Sequence, residues 1–243
     1  MSGRRLLIDA GNTSLKWVVV EDGHWHATGR SDYADWSALT TQVTAGLDCF
    51  IASVASAAQE QALAERLGAG GVTPTWLTVG AAFGDVKNTY LNPHQLGADR
   101  WMGLIAARQR TREAALVVSA GTAMTVDALS EAGVFLGGVI VPGVRLMRQA
   151  LQQGTARVAD ADGDWHAFPR STGDAVQSGI VAALCGAIAQ QHARLAEISG
   201  TMPRCLLTGG DATMVLAHLS VPAEHVPSLV LEGIDCIARE GIS

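Results

Sequence analysis

The hydrophobic pattern of the chain occurs twice. Leu6 to Ile8 form an apolar run that leads into the turn Asp9-Ala10-Gly11-Asn12-Thr13, and Leu116 to Val118 lead into Ser119-Ala120-Gly121-Thr122 about 110 residues later. Each turn is followed by an apolar, β-branched stretch, which is Leu15 to Val20 in the first copy and Met124 to Leu129 in the second. An apolar run, a turn of small residues and a returning run are typical of a β-hairpin whose first strand is covered on both faces. We therefore predict two related hairpins.

Further strands and helices follow each hairpin. A second hairpin signal comes after each copy, at Glu21-Asp22-Gly23 before His24 to Ala27 and at Glu131-Ala132-Gly133 before Val134 to Val141. The other predicted strands are Cys49 to Val54, Val72 to Val79 (weakened by Pro74) and Cys205 to Leu207. The predicted helices run from the capping signature Ser56-x-x-Gln59 to Gly68, from Leu96 to Arg110, from the cap Ser171-x-x-Asp174 through Leu195, and from Met214 to Leu219.

The duplicated order of elements indicates two homologous halves. Hairpins and alternating strands and helices in two copies imply an α/β protein with two sheets and a cleft between them. We place the domains at residues 1–112 and 113–243. Clefts between domains are where ligands bind most often, so the turns at the ends of the hairpins are the first candidates for chemistry.

Composition restricts the partners. Of the 243 residues, 48% are hydrophobic and 16% are charged, which predicts a folded core. The net charge of −6, without basic runs, argues against a nucleic acid or an anionic membrane as partner, because both bind clustered cations. Val134 to Val144, the longest mostly apolar run, is too short to span a bilayer, and the apolar stretch before Asp9 is too short for a signal peptide. Four scattered cysteines without a C-x-x-C pair are typical of a cytoplasmic protein.

The two turns have the chemistry of phosphate binding. The first combines the Asp9 carboxylate, a glycine and short polar side chains, and backbone N–H groups in such a turn suit phosphate oxygens. Asp9 could orient a magnesium-bound water, and Lys16 adds positive charge. A structural hairpin turn with a capping Asp, and Lys16 as a solvated strand residue, are the alternatives. The second copy favours the functional interpretation, since two such turns could hold a polyphosphate from both sides.

A third glycine turn, Thr208-Gly209-Gly210-Asp211, lies between a strand and a helix. It suits the close approach of a nucleotide to a helix N-terminus, although tight packing of strand on helix explains it equally well. The chain contains neither G-x-x-x-x-G-K-[ST] nor G-x-G-x-x-G, which argues against a P-loop or Rossmann protein.

The segment from Tyr90 to Arg100 carries the candidate substrate chemistry. It contains an Asn-Pro turn and then Gly97-Ala98-Asp99-Arg100 at the start of a predicted helix. Asp99 could accept a proton from a substrate hydroxyl, and Arg100 offers a planar fork to a carboxylate. The alternatives are that Asp99 interacts only with the helix dipole and that Tyr90 is a core residue.

Taken together, five motifs resemble those of type III pantothenate kinases. They are Asp9-x-Gly11-Asn12-Thr13, Tyr90-x-Asn92-Pro93, Gly97-x-Asp99-Arg100, Gly121-Thr122-Ala123 and Thr172-x-x-Ala175-x-Gln177-x-Gly179. The resemblance is ordered along positions 9 to about 211. It implies the duplicated fold of actin, Hsp70, acetate kinase and sugar kinases, with one actin-like domain in each half. It also implies ATP-dependent phosphorylation of pantothenate, the first step of coenzyme A synthesis, in the bacterial cytoplasm.

The resemblance also implies roles for individual residues. The ATP phosphates would be bound by Asp9, Ala10, Gly11, Asn12, Thr13, Ser14, Leu15 and Lys16 and, from the second half, by Gly121 and Thr122. The pantothenate site would be formed by Tyr90, Gly97, Ala98, Asp99, Arg100 and Thr172, with Asp99 as proton acceptor. The family requires Mg²⁺ and is homodimeric, with substrate pockets near the subunit interface.

One position departs from the family pattern. Ser119 stands where the family usually carries an Asp that holds a monovalent cation, K⁺ or NH₄⁺. A neutral hydroxyl binds such an ion more weakly, so cation activation is in doubt.

Two other functions stay open. One is a kinase of the same fold that acts on a neutral sugar, which the pairing of Asp99 with Arg100 disfavours because a sugar has no carboxylate for the arginine. The other is a non-catalytic regulator of transcription, as some relatives were described as Bvg accessory factors. Gly154 to Arg170 shows little periodicity and is either a mobile flap beside Thr172 or a surface loop.

Overall fold

The computed structural model describes residues 3–154 and 162–240. These residues form two compact units: the first comprises 3–84, 90–109 and 228–240, and the second comprises 85–89, 110–154 and 162–227. The sequence-based boundary at residue 112 therefore lies close to the point where the chain enters the second unit. The C-terminal segment, which that boundary assigned to the second domain, packs with the first unit.

The elements are numbered in chain order. The strands are β1 (Arg5–Ala10), β2 (Ser14–Glu21), β3 (His24–Asp32), β4 (Asp48–Ser53), β5 (Pro74–Trp76), β6 (Ala82–Phe83), β7 (Val86–Asn88), β8 (Ala115–Ala120), β9 (Ala123–Leu129), β10 (Val134–Pro142), β11 (Arg204–Thr208) and β12 (Glu224–His225). The helices are α1 (Ser37–Thr40), α2 (Ala57–Ala69), α3 (Ala98–Arg110), α4 (Val144–Gly154), α5 (Thr172–Ser199), α6 (Ala212–His218) and α7 (Leu229–Glu240), and a 3₁₀ turn covers Pro93–Gln95.

The first unit contains a sheet in the order β3-β2-β1-β4-β5. β1 is antiparallel to β2 and parallel to β4, and its central residues Leu6, Leu7 and Ile8 are all apolar and buried because the sheet is covered on both faces. Leu6 and Ile8 lie in the core on one face, with Leu63 and Leu67 of α2. α7 packs against β1 and β4, and its buried Asp235 pairs with Arg5 of β1.

The second unit repeats this topology. Its sheet contains the order β10-β9-β8-β11-β12, in which each strand takes the place of its equivalent in β3-β2-β1-β4-β5. β7 extends this sheet beside β10. β8 is antiparallel to β9 and parallel to β11, as β1 is to β2 and β4. The hairpin repeat predicted from the hydrophobic pattern is thus confirmed, together with the second hairpin in each copy.

Several predicted boundaries differ from those observed. The strand expected over 72–79 covers only Pro74–Trp76. The elements that had not been predicted are α1, α4, α7, β6, β7 and β12. Both predicted caps are confirmed: Ser56 forms a full capping box with Gln59, and Ser171 accepts the Asp174 N–H. Of the loop expected from Gly154 to Arg170, residue 154 ends α4 and 162–170 form neither helix nor strand. Residues 155–161 lie outside the described residues.

α5 has the length and composition of a membrane-crossing helix. Within residues 3–154 and 162–240, it is the helix that is both long enough and apolar enough to cross a membrane. Buried core helices can have the same length and composition. Its apolar stripe packs against β8 and β9, with Ile180, Leu184 and Ile188 almost wholly buried. The length and composition of α5 are therefore weak evidence for a membrane span.

Candidate active site

The first loop, residues 9–16, comprises the last two residues of β1, the turn 11–13 and the first three residues of β2. Gly11 N–H donates to the Ser14 carbonyl at 3.1 Å, which closes the turn. Two side chains from outside the loop contact its backbone. Tyr33 donates its hydroxyl proton to the Gly11 carbonyl at 2.7 Å, and the Gln59 amide donates to the Asn12 carbonyl at 3.3 Å.

The carboxylate of Asp9 lies at the end of β1, opposite Lys16 of β2 in the strand register. Burial raises the pKa of Asp9 to about 6; the positive charge of Lys16 opposes this shift, and the negative charge of Asp99 adds to it. The charge of Asp99 thus reaches Asp9, and both residues belong to the first unit, so the first loop and the predicted proton acceptor are neighbours there.

Asp99 lies in the first turn of α3, where a carboxylate is stabilised by the helix dipole. Its Oδ1 accepts the backbone N–H of Arg100 at 2.8 Å. Burial raises the pKa of Asp99, against the lowering effects of that hydrogen bond and of the Arg100 charge. A Cβ on Gly97 would lie 2.7 Å from the same Oδ1 and 3.4 Å from Val54 Cγ1, so the carboxylate occupies space that any other residue would fill.

Arg100 and Tyr90 form a pair beside this carboxylate. Arg100 is 6% exposed, and its Nη1 donates to the Tyr90 hydroxyl at 3.0 Å. The guanidinium carbon also lies 5.6 Å from the centre of the tyrosine ring, within the range of a cation–π contact. Tyr90 is thus a partner of Arg100 and is only partly buried, which excludes the interpretation as a core tyrosine.

The second loop, residues 121–122, connects β8 to β9 and is built by backbone contacts. Gly121 N–H donates to the Ala123 carbonyl at 3.1 Å, the counterpart of the Gly11 bond. Gly143 N–H donates to the Thr122 carbonyl at 3.0 Å, and a Cβ on Gly143 would lie only 2.0 Å from the Gly121 carbonyl oxygen. The turn at 208–211 packs beside the same strand end: Gly209 has a φ of +104°, and a Cβ there would lie 2.1 Å from the Ala120 carbonyl oxygen.

Ser119 is the counterpart of Asp9. It is partly buried at the end of β8, between Thr125 of β9 and Thr208 of β11 in the strand registers. Hydroxyl-bearing residues therefore replace the Asp9 and Lys16 pair of the first unit. No group of three His, Cys, Asp or Glu side chains able to hold a metal occurs within 3–154 and 162–240.

Thr172 is the first residue of α5 and lines an apolar cavity of about 590 Å³ between α4 and α5. Met147 and Ala150 of α4 and Val176 and Gly179 of α5 also line it. Arg148 links the two helices by donating to Gln177 at 2.7 Å. This cavity lies in the second unit and had not been predicted.

The predicted site residues thus fall into two groups. The first unit brings together residues 9–16, 90 and 97–100, and the second unit carries 119, 121–122 and 172. The sequence-based interpretation missed Tyr33, Gln59 and Gly143. Gln59 had been identified only as part of a helix cap, and no local pattern marks Tyr33 or Gly143 as a neighbour of a loop.

Two copies of one sheet, each with a glycine turn where its first two strands meet, define the class of actin-like ATPases and sugar kinases. Solved structures agree on this fold. A protein described as a 2-dehydro-3-deoxygalactonokinase from Sinorhizobium meliloti has a TM-score of 0.60 and 16% identity, covering 97% of this chain and 98% of that one. The activator of 2-hydroxyisocaproyl-CoA dehydratase from Clostridium difficile has a TM-score of 0.54 and 10% identity, covering 98% and 96%.

Sequence comparison identifies the family within this class. The family model for type III pantothenate kinase matches residues 5–194. A type III pantothenate kinase of Thiobacillus denitrificans is 63% identical over 241 residues, which are 99% of this chain and 99% of that protein. The chain therefore belongs to the type III pantothenate kinase family. It is a kinase that uses ATP to phosphorylate pantothenate in coenzyme A biosynthesis, which favours pantothenate over the neutral-sugar alternative.

Proposed function

We propose that the first loop and the second loop hold the phosphates of ATP and that Asp99 accepts the proton of the pantothenate hydroxyl. The observation that carries this proposal is geometric: the glycine turn between the paired Asp9 and Lys16 lies in the same unit as the Asp99 carboxylate at the start of α3, and the charge of Asp99 reaches Asp9. Gly121 and Thr122 enter the proposal through their equivalence to the turn of the first unit. The product is 4′-phosphopantothenate.

The reaction needs little covalent help from the protein. The hydroxyl oxygen of pantothenate attacks the γ-phosphorus, the bond from that phosphorus to the bridging oxygen breaks, and ADP leaves. The proton of the hydroxyl moves to the Asp99 carboxylate. A carboxylate whose pKa is raised by burial is a stronger base, and such a group contributes about 10²- to 10⁴-fold to the rate.

Asp9 and Lys16 are the charged groups of the first loop. A single partly buried carboxylate beside a lysine fits Mg²⁺ held through a water molecule better than Mg²⁺ bound directly. When bound, the ion would neutralise charge on the phosphates. Lys16 would add a point charge to the same phosphates.

The substrate side of the site is assigned to Tyr90, Arg100 and the backbone of 97–98. Arg100 holds the Tyr90 hydroxyl, so the two present a hydroxyl and a cationic fork together. Pantothenate is an anion with hydroxyl and amide groups, and such a pair suits its carboxylate and its hydrogen-bonding groups.

The serine at position 119 affects whether the enzyme needs a monovalent cation for activity. A hydroxyl lacks the charge that makes a carboxylate a good ligand for a hard cation. We therefore propose that turnover does not require K⁺ or NH₄⁺. Equal rates in sodium and potassium buffers would agree with this, whereas a strong potassium requirement would contradict it.

The protein is proposed to act as a cytoplasmic homodimer through the face formed by α4 and α5. None of the side chains of residues 144–154 is fully buried, although α4 carries an apolar face. Its apolar residues line the cavity beside Thr172, so a second copy would cover them and lie close to a proposed substrate residue.

The assignment is tested by measuring ADP release with Mg-ATP and pantothenate for the wild type, Asp99→Asn and a control. The control is Asp48→Asn, an exposed carboxylate at the start of β4. We expect Asp99→Asn to lower kcat by about 10²- to 10⁴-fold and Asp48→Asn to leave it unchanged. Equal kcat for Asp99→Asn and wild type would remove Asp99 from the mechanism. Turnover with a neutral sugar and none with pantothenate would contradict the assignment of pantothenate as the substrate.

A further inference from the structure

Two side chains from different elements hold two consecutive carbonyl groups of the first loop. Tyr33 follows β3 and donates to the Gly11 carbonyl at 2.7 Å. Gln59 is the third residue of α2 and donates from Nε2 to the Asn12 carbonyl at 3.3 Å. Neither residue belongs to the motifs that resemble the family.

These contacts fix the direction of the next backbone N–H groups. In a planar trans peptide the carbonyl and the N–H of the following residue point in opposite directions. The N–H of Asn12 therefore points away from Tyr33, and the N–H of Thr13 points away from Gln59. Gly11 N–H donates to the Ser14 carbonyl and Val54 N–H donates to the Ala10 carbonyl at 3.0 Å, so the contacts of Tyr33 and Gln59 add to these bonds at the tip of the loop.

Both side chains are themselves held in place. Trp36 donates from its ring nitrogen to the Tyr33 carbonyl at 2.8 Å, and the two rings meet edge to face. The Gln59 Oε1 accepts both the N–H and the hydroxyl of Ser56, which turns the amide nitrogen towards the loop. Burial, together with the charges of Asp9 and Glu60, raises the pKa of Tyr33 to about 12, so its hydroxyl remains a donor throughout the working pH range.

We propose that Tyr33 and Gln59 are positioning residues for ATP: by holding two consecutive carbonyl groups of the first loop, they aim its N–H groups at the phosphates. This inference rests on the proposed function of that loop. Neither residue contacts the reacting atoms. Their loss should therefore weaken the binding of the phosphates and leave the binding of the other substrate and of the nucleoside unchanged.

The first test is Tyr33→Phe, which removes only the hydroxyl. We expect the KM for ATP to rise by about 3- to 10-fold, as for the loss of one hydrogen bond. The KM for pantothenate and the inhibition constant of adenosine, which has no phosphate, should not change. The matched control is Thr40→Val, which removes a hydroxyl that donates to the Trp36 carbonyl at 2.9 Å and does not touch the loop. An unchanged KM for ATP in Tyr33→Phe, or an equal rise in the inhibition constant of adenosine, would overturn the proposal.

A second variant covers the case in which Tyr33→Phe fails to fold. Gln59→Glu keeps the oxygen that caps α2, because Glu serves at this position of a capping box. It removes the amide donor to Asn12. The KM for ATP should again rise and the melting temperature should stay close to that of the wild type, whereas a lower melting temperature with an unchanged KM would show a purely structural role.

Lys16→Met separates this inference from the function on which it rests. If Lys16→Met leaves the KM for ATP unchanged, the first loop does not bind the phosphates and the proposed function fails. If Lys16→Met raises the KM for ATP while Tyr33→Phe and Gln59→Glu do not, only the positioning role is overturned. A rise in all three variants supports both.

Discussion

The Asp99 carboxylate occupies the space that a side chain on Gly97 would need. A Cβ at residue 97 would lie 2.7 Å from Asp99 Oδ1, closer than side-chain carbons approach oxygen atoms. Gly97 lies just before α3, and Asp99 lies in its first turn. The absence of a side chain at residue 97 therefore determines where the proposed proton acceptor points.

Gly97→Ala should impair catalysis more than stability. The methyl group meets the end of a side chain that can rotate, so the carboxylate moves and the backbone does not. A displacement of about 1 Å in a catalytic group can cost about 10²-fold, and we expect kcat to fall by about 10- to 100-fold with little change in melting temperature. Gly68→Ala in α2, where a Cβ would have nothing within 4 Å, is the control. A wild-type kcat for Gly97→Ala would contradict this explanation of the glycine.

The pH dependence of ATP use should reveal Asp9. Its pKa is raised to about 6, so the neutral form dominates below that pH and the charged form above it. If the charged form helps to hold Mg-ATP, kcat/KM for ATP should be constant well above pH 6, fall to half of that value near pH 6 and then fall by about tenfold per pH unit well below it. Asp9→Asn should lower the plateau and reduce the slope of the acid limb. The titration of ATP itself is the same for both proteins, so identical slopes would exclude Asp9.

Local patterns in the sequence predicted the hairpins, the capped helices and the glycine turns because each of these depends on neighbouring residues. Local patterns could not predict contacts between residues that lie far apart in the sequence. Tyr33 reaches Gly11 only through the pairing of β2 with β3, and α7 joins the first unit through contacts such as Asp235 with Arg5, 230 residues away. For α4 a signal existed, since Val144, Met147 and Leu151 follow helical spacing, but it lay next to a loop without periodicity.

Gly233→Ala should destabilise the first unit. Gly233 of α7 lies against the backbone of α3, and a Cβ there would be 2.0 Å from the Met102 carbonyl oxygen. Neither backbone can move away cheaply, so we expect a loss of about 1–3 kcal/mol in the free energy of unfolding. Gly186→Ala in the exposed face of α5 has nothing within 4 Å and should instead gain about 0.5–1 kcal/mol. Thermal unfolding of both variants is the measurement, and equal melting temperatures would show that α3 and α7 do not depend on this close approach.

The proposed dimer face, formed by α4 and α5, can be tested by a substitution that introduces one charged side chain into it. Ala150 is exposed on α4 and lines the apolar cavity with Val176 and Gly179 of α5. In a dimer that covers this cavity, Ala150→Glu would bury a carboxylate without a partner, which weakens an interface strongly. We expect light scattering to give twice the chain mass for the wild type and the chain mass for Ala150→Glu. The control is Ile198→Glu, at the other end of α5, where the side chain is 71% exposed and the charge stays in water. A dimeric Ala150→Glu protein would place the interface elsewhere, and a monomeric protein with wild-type kcat would show that the second copy is not needed beside Thr172.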